Sequence, residues 1–248
     1  MTPILEFERV TFCYPGQKRP ALRELSLALP AAGKVAIIGR NGSGKSTLFL
    51  HCNGLYRPAS GTVHFAGQPL AYDRGALLSL RQRVGIVFQN PDDQLFSASV
   101  AQDISFGPLN LGWNEADVRQ HIQAAADLCE VTDLLDRPTH ALSGGEKARV
   151  ALAGVLAMEP EVLIIDEIMG NLDPWVRQRV MAILEQLHAQ GKTLLLATHD
   201  LALVQGWASL LVVLADGQVA FVGPTERLLQ DRALMEQTGL AAIWQQAH

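Results

Sequence analysis

Two spacings of hydrophobic residues divide this chain into segments of different kinds. Residues 4–14 and the stretch "ELSLALP" (24–30) alternate apolar and polar positions, which predicts half-buried antiparallel strands near the N-terminus. The run "KVAIIG" (34–39) is continuously apolar, as expected of a strand that is buried on both faces. Further strands are predicted at "TVHFAG" (62–67), "RVGIVFQ" (83–89), "VLIID" (162–166), "TLLLATH" (193–199), "LLVVLA" (210–215) and the hairpin "GQVAFVG" (217–223).

Apolar residues at helical spacing mark the second kind of segment. Residues 115–136 carry this spacing, with Asn114 as the predicted N-cap, and other helices are predicted at 148–158, at 175–189 and near 200–207. Strands that alternate with helices predict an α/β fold with a mostly parallel sheet. We expect one domain over 1–248, divided into a core (1–88 and 159–248) with an N-terminal antiparallel β part and an inserted helical subdomain (89–158).

Composition restricts the possible partners and the compartment. A formal net charge of −5 provides no broad basic surface, so we expect no nucleic-acid partner. The longest apolar runs have the length of strands, and the N-terminus "MTPILEFERV" lacks the charge order of a signal peptide. Cys13, Cys52 and Cys129 are far apart in the chain, which suits small core residues in a reducing compartment. We therefore expect a soluble, cytoplasmic chain.

A glycine-rich loop between a predicted strand and a predicted helix indicates a phosphate site. "GRNGSGKST" (39–47) fits the P-loop pattern G-x-x-x-x-G-K-[ST], in which glycines let backbone N–H groups face phosphate oxygens. Lys45 would reach the β- and γ-phosphates, and the Ser46 hydroxyl would bind Mg²⁺. The alternative is a glycine turn that binds nothing. We expect ATP and Mg²⁺ as cofactors, with nucleotide contacts from Gly39, Asn41, Gly42, Ser43, Gly44, Lys45, Ser46 and Thr47.

Polar residues at the ends of other predicted strands supply candidate catalytic groups. Asp166 and Glu167 end one strand, where Asp166 suits Mg²⁺ and Glu167 suits the residue that orients or deprotonates the attacking water. His199 is predicted to contact the γ-phosphate, and Gln89 to sense both Mg²⁺ and the attacking water. The alternatives are a solvated strand end for the acids, a structural histidine and a surface glutamine.

The segment "ALSGGEKARV" (141–150) indicates a second anion site. Ser143 is a suitable N-cap, and Glu146 stands three residues later, where a capping box requires it. Gly144 and Gly145 would let a ligand approach the positive end of the helix closely.

These motifs together resemble those of the ATPase subunits of ABC transporters, in the same order along essentially the whole chain. They are the P-loop, Gln89, "LSGGE" (142–146), "VLIIDE" (162–167), "NLD" (171–173) and His199. The resemblance implies the ABC ATPase fold, in which Tyr14 stacks on adenine; an ordinary strand aromatic is the alternative for Tyr14. It also implies that Ser143, Gly144 and Gly145 contact ATP held by a second subunit, and that Asp173 communicates across a dimer that closes on ATP and opens after hydrolysis.

One segment resembles a particular branch of that family. Residues 88–112, with "QNPDDQLF" and "FGPLNLG", are similar to the ATPases of energy-coupling-factor importers, particularly the cobalt and nickel ones. This implies a peripheral subunit on the cytoplasmic face of the membrane that powers uptake of a transition-metal ion, or otherwise of a vitamin such as biotin. The implied partners are a second ATPase subunit, identical or related, a membrane coupling subunit contacted near Asp92–Phe96, and a membrane substrate-binding subunit. Alternatively, Leu95 and Phe96 anchor the core of the helical subdomain.

The chain departs from the family pattern after the acid pair. Ile168 and Met169 stand where the family usually has Pro-Thr, and we expect the loss of proline to loosen the path to Asp173.

Other function classes fit this sequence less well. A soluble ABC ATPase for DNA repair or ribosome work needs a coiled-coil insertion or two cassettes, and a regulatory module without turnover would not need Glu167. A small-molecule kinase would leave "LSGGE" unexplained. The adjacent His51 and Cys52 have no second ligand cluster, so we expect no metal there.

Overall fold

The computed structural model of this protein describes residues 2–241. Its strands are β1 (Leu5–Phe12), β2 (Leu22–Leu29), β3 (Lys34–Ile38), β4 (Ser60–Phe65), β5 (Gln68–Pro69), β6 (Val84–Val87), β7 (Val162–Asp166), β8 (Thr193–Ala197), β9 (Leu210–Ala215) and β10 (Gln218–Gly223). Its helices are α1 (Lys45–Cys52), α2 (Arg74–Arg83), α3 (Val100–Asn110), α4 (Glu115–Leu128), α5 (Gly144–Leu156), α6 (Pro174–Ala189), α7 (Leu201–Val204), α8 (Thr225–Gln230) and α9 (Arg232–Gln237).

The strands form two sheets of the predicted kinds. The smaller sheet has the order β2-β1-β4-β5 and is antiparallel throughout. The larger sheet has the order β10-β9-β3-β8-β7-β6, in which the last five strands are parallel and β10 pairs antiparallel with β9 as a hairpin. The carboxyl ends of β3, β6, β7 and β8 therefore meet at one edge of the larger sheet, where ligands of such sheets bind.

Alternating side chains bury both faces of the larger sheet. On β3, Val35 and Ile37 belong to one cluster of buried residues, and Ala36 and Ile38 to another. The first cluster fills the space between the two sheets and includes residues of α1. On the opposite face, β3 and β9 pack against α7–α9, whereas β7 and β8 pack against α4–α6. This burial explains why these strands are continuously apolar in sequence.

Helix α3 is absent from the sequence predictions, although the sequence carries a signal for it. Ser99 is its N-cap and accepts a hydrogen bond from the N–H of Gln102, so "SVAQ" has the Ser-x-x-Gln spacing of a helix start. Val100 and Ile104 bury one side of the helix. The Asp103 carboxylate accepts hydrogen bonds from the N–H groups of Phe96 (3.0 Å) and Ser97 (2.7 Å), which ties the preceding loop to the helix.

Several elements are shorter than their sequence pattern predicts. The helix predicted over 115–136 ends at Leu128, since Glu130 takes a left-handed conformation (φ 54°) and Thr132 donates a hydrogen bond to the Asp127 carboxylate. The helix predicted near 200–207 is the single turn α7. Strands β6 and β8 end at Val87 and Ala197, so Gln89 and His199 lie two residues beyond them. No helix within residues 2–241 is long and apolar enough to cross a membrane.

A matched pair of glycine substitutions tests the contact between β6 and α5. A Cβ added at Gly85 would overlap the Val155 side chain, whereas one added at Gly75 in α2 would meet only the Asp73 carboxylate at 3.5 Å. We expect Gly85→Ala to destabilise the protein by about 1–3 kcal/mol through overpacking. Gly75→Ala should stabilise it by about 0.4–1 kcal/mol through the unfolded state. Urea-unfolding midpoints measure both, and equal midpoints for the two variants would contradict the close packing.

Candidate functional site

A cavity of about 360 Å³ lies over the P-loop, between β3 and α1 at the carboxyl edge of the larger sheet. It is lined by Tyr14, Ala21, Asn41, Gly42, Gly44, Lys45, Ser46, Thr47, Gln89 and Glu167. Nine of these ten residues are sequence-predicted site residues, and the tenth, Ala21, has no motif that could have indicated it. Two predicted residues of the loop, Gly39 and Ser43, are buried and do not line the cavity.

The backbone of the P-loop depends on two of its glycines. A Cβ at Gly39 would overlap the carbonyl oxygen of Leu214, so only glycine lets the loop pass β9 this closely. Gly44 has a left-handed conformation (φ 108°) and is the N-cap of α1, without a side-chain cap. No acidic residue occupies the first turn of α1. The first N–H groups of the helix and its positive end are therefore available to an anion.

Lys45 is buried beside this helix end and makes an ion pair that the sequence did not predict. Its Nζ donates hydrogen bonds to the carbonyl oxygens of Gly39 (2.8 Å) and Arg40 (3.3 Å). It also lies 2.8 Å from Oε1 of Glu167, and the two side chains are 5% and 12% exposed. A buried ammonium needs such a partner, because removing one charge of a buried pair leaves the other uncompensated. A nucleotide phosphate at this cavity would compete with Glu167 for Lys45.

Asp166 presents a carboxylate oxygen that the protein does not satisfy. The residue is 6% exposed, and its Oδ1 is buried without a hydrogen-bond partner. Burial raises the pKa of Asp166 and Glu167 adds to the rise, while a hydrogen bond from Ser46 and the charge of Lys45 oppose it. A carboxylate and a hydroxyl are oxygen ligands that suit Mg²⁺. Asp166 does not itself line the cavity, but it is hydrogen-bonded to Ser46, which does, and the two side chains together fit this ion.

Gln89 and His199 occupy different positions relative to the cavity. Gln89 is exposed and lines it, whereas His199 is exposed and does not. The His199 ring instead lies next to the turn after Glu167, with Cε1 at 3.4 Å from the position of a Cβ on Gly170. Glu167 holds a left-handed conformation (φ 51°), and its N–H donates to the carbonyl of Ala197 (3.1 Å). Such a conformation costs about 1–3 kcal/mol in a non-glycine residue and is common at functional sites.

Tyr14 lines the cavity in a fixed orientation. Its hydroxyl lies 2.9 Å from the hydroxyl of Thr47, and its ring contacts Phe12 and Tyr56 edge-on, with centroid distances of 5.2 and 5.6 Å. His51 packs in the same aromatic group, with Nδ1 at 2.7 Å from the carbonyl oxygen of Thr47. Burial lowers the pKa of His51.

The second anion motif starts α5 as predicted, but it lies outside this cavity. We call Ser143–Gly145 the signature turn. Ser143 and Glu146 form a capping box, in which the Ser143 N–H donates to Glu146 (2.7 Å) and Ser143 Oγ accepts from the Glu146 N–H (3.4 Å). Ser143 and Gly144 are exposed, and a Cβ at Gly144 would meet no atom within 4 Å. A Cβ at Gly145 would lie 2.9 Å from Val176, so the signature turn contacts the first turn of α6.

Asp173 caps α6 beside the signature turn, also outside the cavity. Its carboxylate accepts hydrogen bonds from the N–H groups of Trp175 (3.0 Å) and Val176 (3.1 Å). In the short turn before it, Ile168 and Met169 are 3% and 1% exposed and belong to the core beneath α5 and α6. Apolar packing thus anchors the segment in which the sequence predicted looseness through the loss of proline.

A second cavity lies between β6, α3 and α5 and has a volume of about 400 Å³; we call it the docking groove because of the role proposed for it below. The two large apolar residues of the predicted partner segment differ in burial. Leu95 packs on the core, whereas Phe96 is 64% exposed. Phe96 stacks edge-on against Phe106, which is itself half exposed, with centroids 4.7 Å apart. Asp93 lines the groove, whereas Asp92 pairs with Lys147 at 2.6 Å. Sequence reasoning missed Phe106 because it missed α3.

Comparison with known proteins places the chain in a family. The family model described as "ABC transporter" matches residues 22–170. The chain belongs to the ABC transporter family. An ABC relative from Rhodobacter capsulatus, the cobalt import ATP-binding protein CbiO, is 47% identical over 240 residues, which cover 97% of this chain and 85% of the relative. The energy-coupling factor transporter ATP-binding protein EcfA of Carboxydothermus hydrogenoformans is 42% identical, covering 98% and 88%.

A solved ABC structure extends the agreement to the fold. The structure of cbiO1 from Clostridium perfringens, part of the ABC transporter complex cbiONQ, has a TM-score of 0.83 and 38% identity, covering 97% of this chain and 96% of that one. The predicted ABC ATPase fold, the ATP-hydrolysing class and the resemblance to the energy-coupling-factor branch are therefore confirmed.

The capping box of this ABC ATPase predicts an acid-dependent contribution to stability. Hydrogen bonds from Ser143 and the charge of Arg137 lower the pKa of Glu146 below its ordinary value of 4.5. A carboxylate whose pKa is lowered on folding stabilises the folded state fully when the pH is above its ordinary pKa. This stabilisation is lost as the pH falls below that value. The thermal-midpoint difference between the parent and Glu146→Gln should thus be largest near neutral pH and shrink below 4.5.

Glu115→Gln is the matched control for this measurement. Glu115 is also in the first turn of a helix, but its carboxylate pairs with Arg119 at 3.7 Å on the exposed surface of α4. It should give a smaller midpoint difference at every pH. A Glu146→Gln difference that stays constant or grows on acidification would contradict the capping-box account.

Proposed function

We propose that this chain is the ATP-hydrolysing subunit of an energy-coupling-factor importer that takes up a transition-metal ion, cobalt or nickel. The observation that carries the ATPase part is the Lys45–Glu167 ion pair beside the unsatisfied Asp166 Oδ1, at the uncapped start of α1. The support for cobalt is the name of the relative that is 47% identical. A vitamin such as biotin is the alternative cargo. Transport of radioactive cobalt by the chain co-expressed with its membrane subunits, in competition with nickel and biotin, separates these cargoes.

Nucleotide binding would rearrange the charges of the cavity. The N–H groups of the P-loop and Lys45 would hold the β- and γ-phosphates, and Tyr14 would stack on adenine. Because the phosphates take over Lys45, the Glu167 carboxylate would lose its partner at 2.8 Å and turn to the attacking water. Ser46, Asp166 and Gln89 would hold Mg²⁺, which neutralises charge on the β- and γ-phosphate oxygens.

Hydrolysis then needs a base and a contact on the γ-phosphate. Glu167 would accept a proton from the water as its oxygen bonds to the γ-phosphorus, while the bond to the leaving β-phosphate oxygen breaks. His199, next to the same turn, would donate a hydrogen bond to the γ-phosphate. The products are ADP and inorganic phosphate.

The signature turn fits a role in a second subunit's site. It is exposed and lies outside this chain's own cavity, at the start of helix α5. In a two-fold dimer, the signature turn of each chain would cover the nucleotide on the other chain's P-loop, and Asp173 would lie between the two sites. ATP would thus close the dimer, and its hydrolysis would open it. The second subunit is an identical or a related chain.

The docking groove fits a membrane coupling subunit. Its apolar lining around Phe96 and Phe106, with Asp93 at its border, suits a short helix with apolar anchors and a basic residue. The chain would then sit peripherally on the cytoplasmic face of the membrane, and a separate membrane subunit would bind the cargo. We also propose that residues 89–158 act as a helical subdomain on a core formed by 1–88 and 159–248.

Glu167→Gln tests the assignment of the catalytic base. The amide cannot accept the proton of the attacking water, so the turnover number should fall by about 100-fold or more. ATP binding should be retained, and the protein should accumulate as a dimer in the presence of ATP and Mg²⁺. Phosphate release and light scattering after size exclusion measure the two effects. Unaltered hydrolysis would remove Glu167 from this role.

Ser143→Ala tests in the same assay whether the signature turn acts on the other subunit. It should impair ATP-induced dimerisation of the Glu167→Gln protein and spare ATP binding to the monomer. Ser99→Ala is the matched control, because it removes the N-cap of α3 at a similar expected loss of about 1 kcal/mol. Weaker ATP binding by the Ser143→Ala monomer would contradict action on the other subunit.

Phe106→Ala and Asp93→Lys test the docking groove. Stimulation of ATP hydrolysis by the co-purified membrane subunits should fall about tenfold, with basal hydrolysis within about twofold of the parent, because these residues contact the partner and not the nucleotide. Leu109→Ala is the control, since Leu109 is 53% exposed on the same helix outside the groove. Equal losses of basal and stimulated activity would indicate a purely structural segment.

A further inference from the structure

Trp175 is an exposed tryptophan on the first turn of α6, and nothing in the assigned machinery uses it. It is 55% exposed, although its neighbour Val176 is buried. The Arg179 guanidinium lies over the Trp175 ring at 5.0 Å from its centre, and Arg179 also pairs with Glu130 at 3.2 Å. The ring is therefore held in place on one side while more than half of the side chain faces solvent. Large rigid aromatics of this kind dominate the energetics of protein interfaces.

The first turn of α6, which carries Trp175, lies between the surfaces that would form the two nucleotide sites of the proposed dimer. On one side, Val176 contacts Gly145 of the signature turn, which would reach the other chain's nucleotide. On the other side, Arg177 pairs with Asp200 at 3.4 Å, next to His199 and this chain's own nucleotide. Trp175 therefore lies between the signature turn, which would cover the partner's nucleotide, and the edge of this chain's own site. The surface between these two sites is the part that a closed dimer would bury.

We propose that Trp175, held by Arg179, is a central anchor of the ATP-closed dimer and packs against a second copy of this chain. This inference rests on the proposed dimer and adds a residue that touches neither nucleotide. Two-fold symmetry places two such anchors in each dimer, so one substitution removes both. Fully desolvated tryptophans near the centre of an interface carry an outsized share of its free energy.

The test uses the full chain carrying Glu167→Gln, with ATP and Mg²⁺. Sedimentation equilibrium gives the monomer–dimer dissociation constant for this parent and with Trp175→Ala or Trp175→Phe added. We expect Trp175→Ala to raise the constant by about tenfold or more, and Trp175→Phe to raise it less, because the ring is retained. ATP affinity of the monomer and the thermal midpoint should stay at the parent values. Trp113→Phe, at a half-buried tryptophan whose ring lies tilted against His121, is the control and should leave the dissociation constant unchanged.

Tryptophan emission provides a second readout. ATP should shift the emission of the parent to shorter wavelength as the exposed indole is buried, and the difference spectrum should disappear with Trp175→Phe but remain with Trp113→Phe. A parent that dimerises normally, with an unchanged constant for Trp175→Ala and no emission shift, would overturn the role of Trp175 alone. A parent that stays monomeric with ATP would overturn the proposed dimer closure and this inference together.

Discussion

The buried ammonium of Lys45 at the start of α1 is the constraint on which the site is built. The helix end contributes roughly half a positive charge, and Lys45 adds a full charge at 5% exposure. Carbonyl oxygens of the P-loop and the Glu167 carboxylate compensate this charge. Gly39 lets the loop pass close to β9, and Glu167, which holds a left-handed backbone conformation, has its carboxylate 2.8 Å from the lysine. In the proposed mechanism, phosphate oxygens would replace that carboxylate, so that ATP binding and release of the base would be one event.

Patterns that repeat locally made the core of this fold predictable from sequence. The continuous apolar run of β3, followed by the P-loop and an apolar helix, predicted a strand–loop–helix unit that the structure contains, and the capping box at Ser143 marked a helix start that the structure reproduces. Helix ends were harder to predict. The end of α4 depends on the backbone of Glu130 and on a side-chain bond from Thr132 to Asp127, which residue periodicity does not encode.

Contacts between residues that are far apart in the chain could not be predicted from the sequence. Lys45 and Glu167 belong to two motifs with known spacing, yet their contact depends on how β3 and β7 flank β8 in the sheet and on the turn at Glu167. The same holds for Ile168 and Met169. In the sequence, these two residues replace a rigid Pro-Thr pair and so predicted a looser turn. In the structure, both side chains are buried, and their packing holds the turn in place. Leu95 packs on the core while the adjacent Phe96 is exposed, and the N–H groups of Phe96 and Ser97 donate to the Asp103 carboxylate of helix α3, a contact that the sequence pattern did not predict.

The close contact of Gly85 with Val155 has a mechanical consequence. It lies near the C-terminal end of α5, while the signature turn is at the other end, roughly 20 Å away for a helix of about 13 residues. A tilt of about 10° around that contact would move the signature turn by about 3 Å, the length of one hydrogen bond. Gly85 and Val155 also line the docking groove. Helix α5 thus has the docking groove near its C-terminal end and the signature turn at its N-terminal end, so the proposed partner and the proposed nucleotide contact would act on one continuous rigid element.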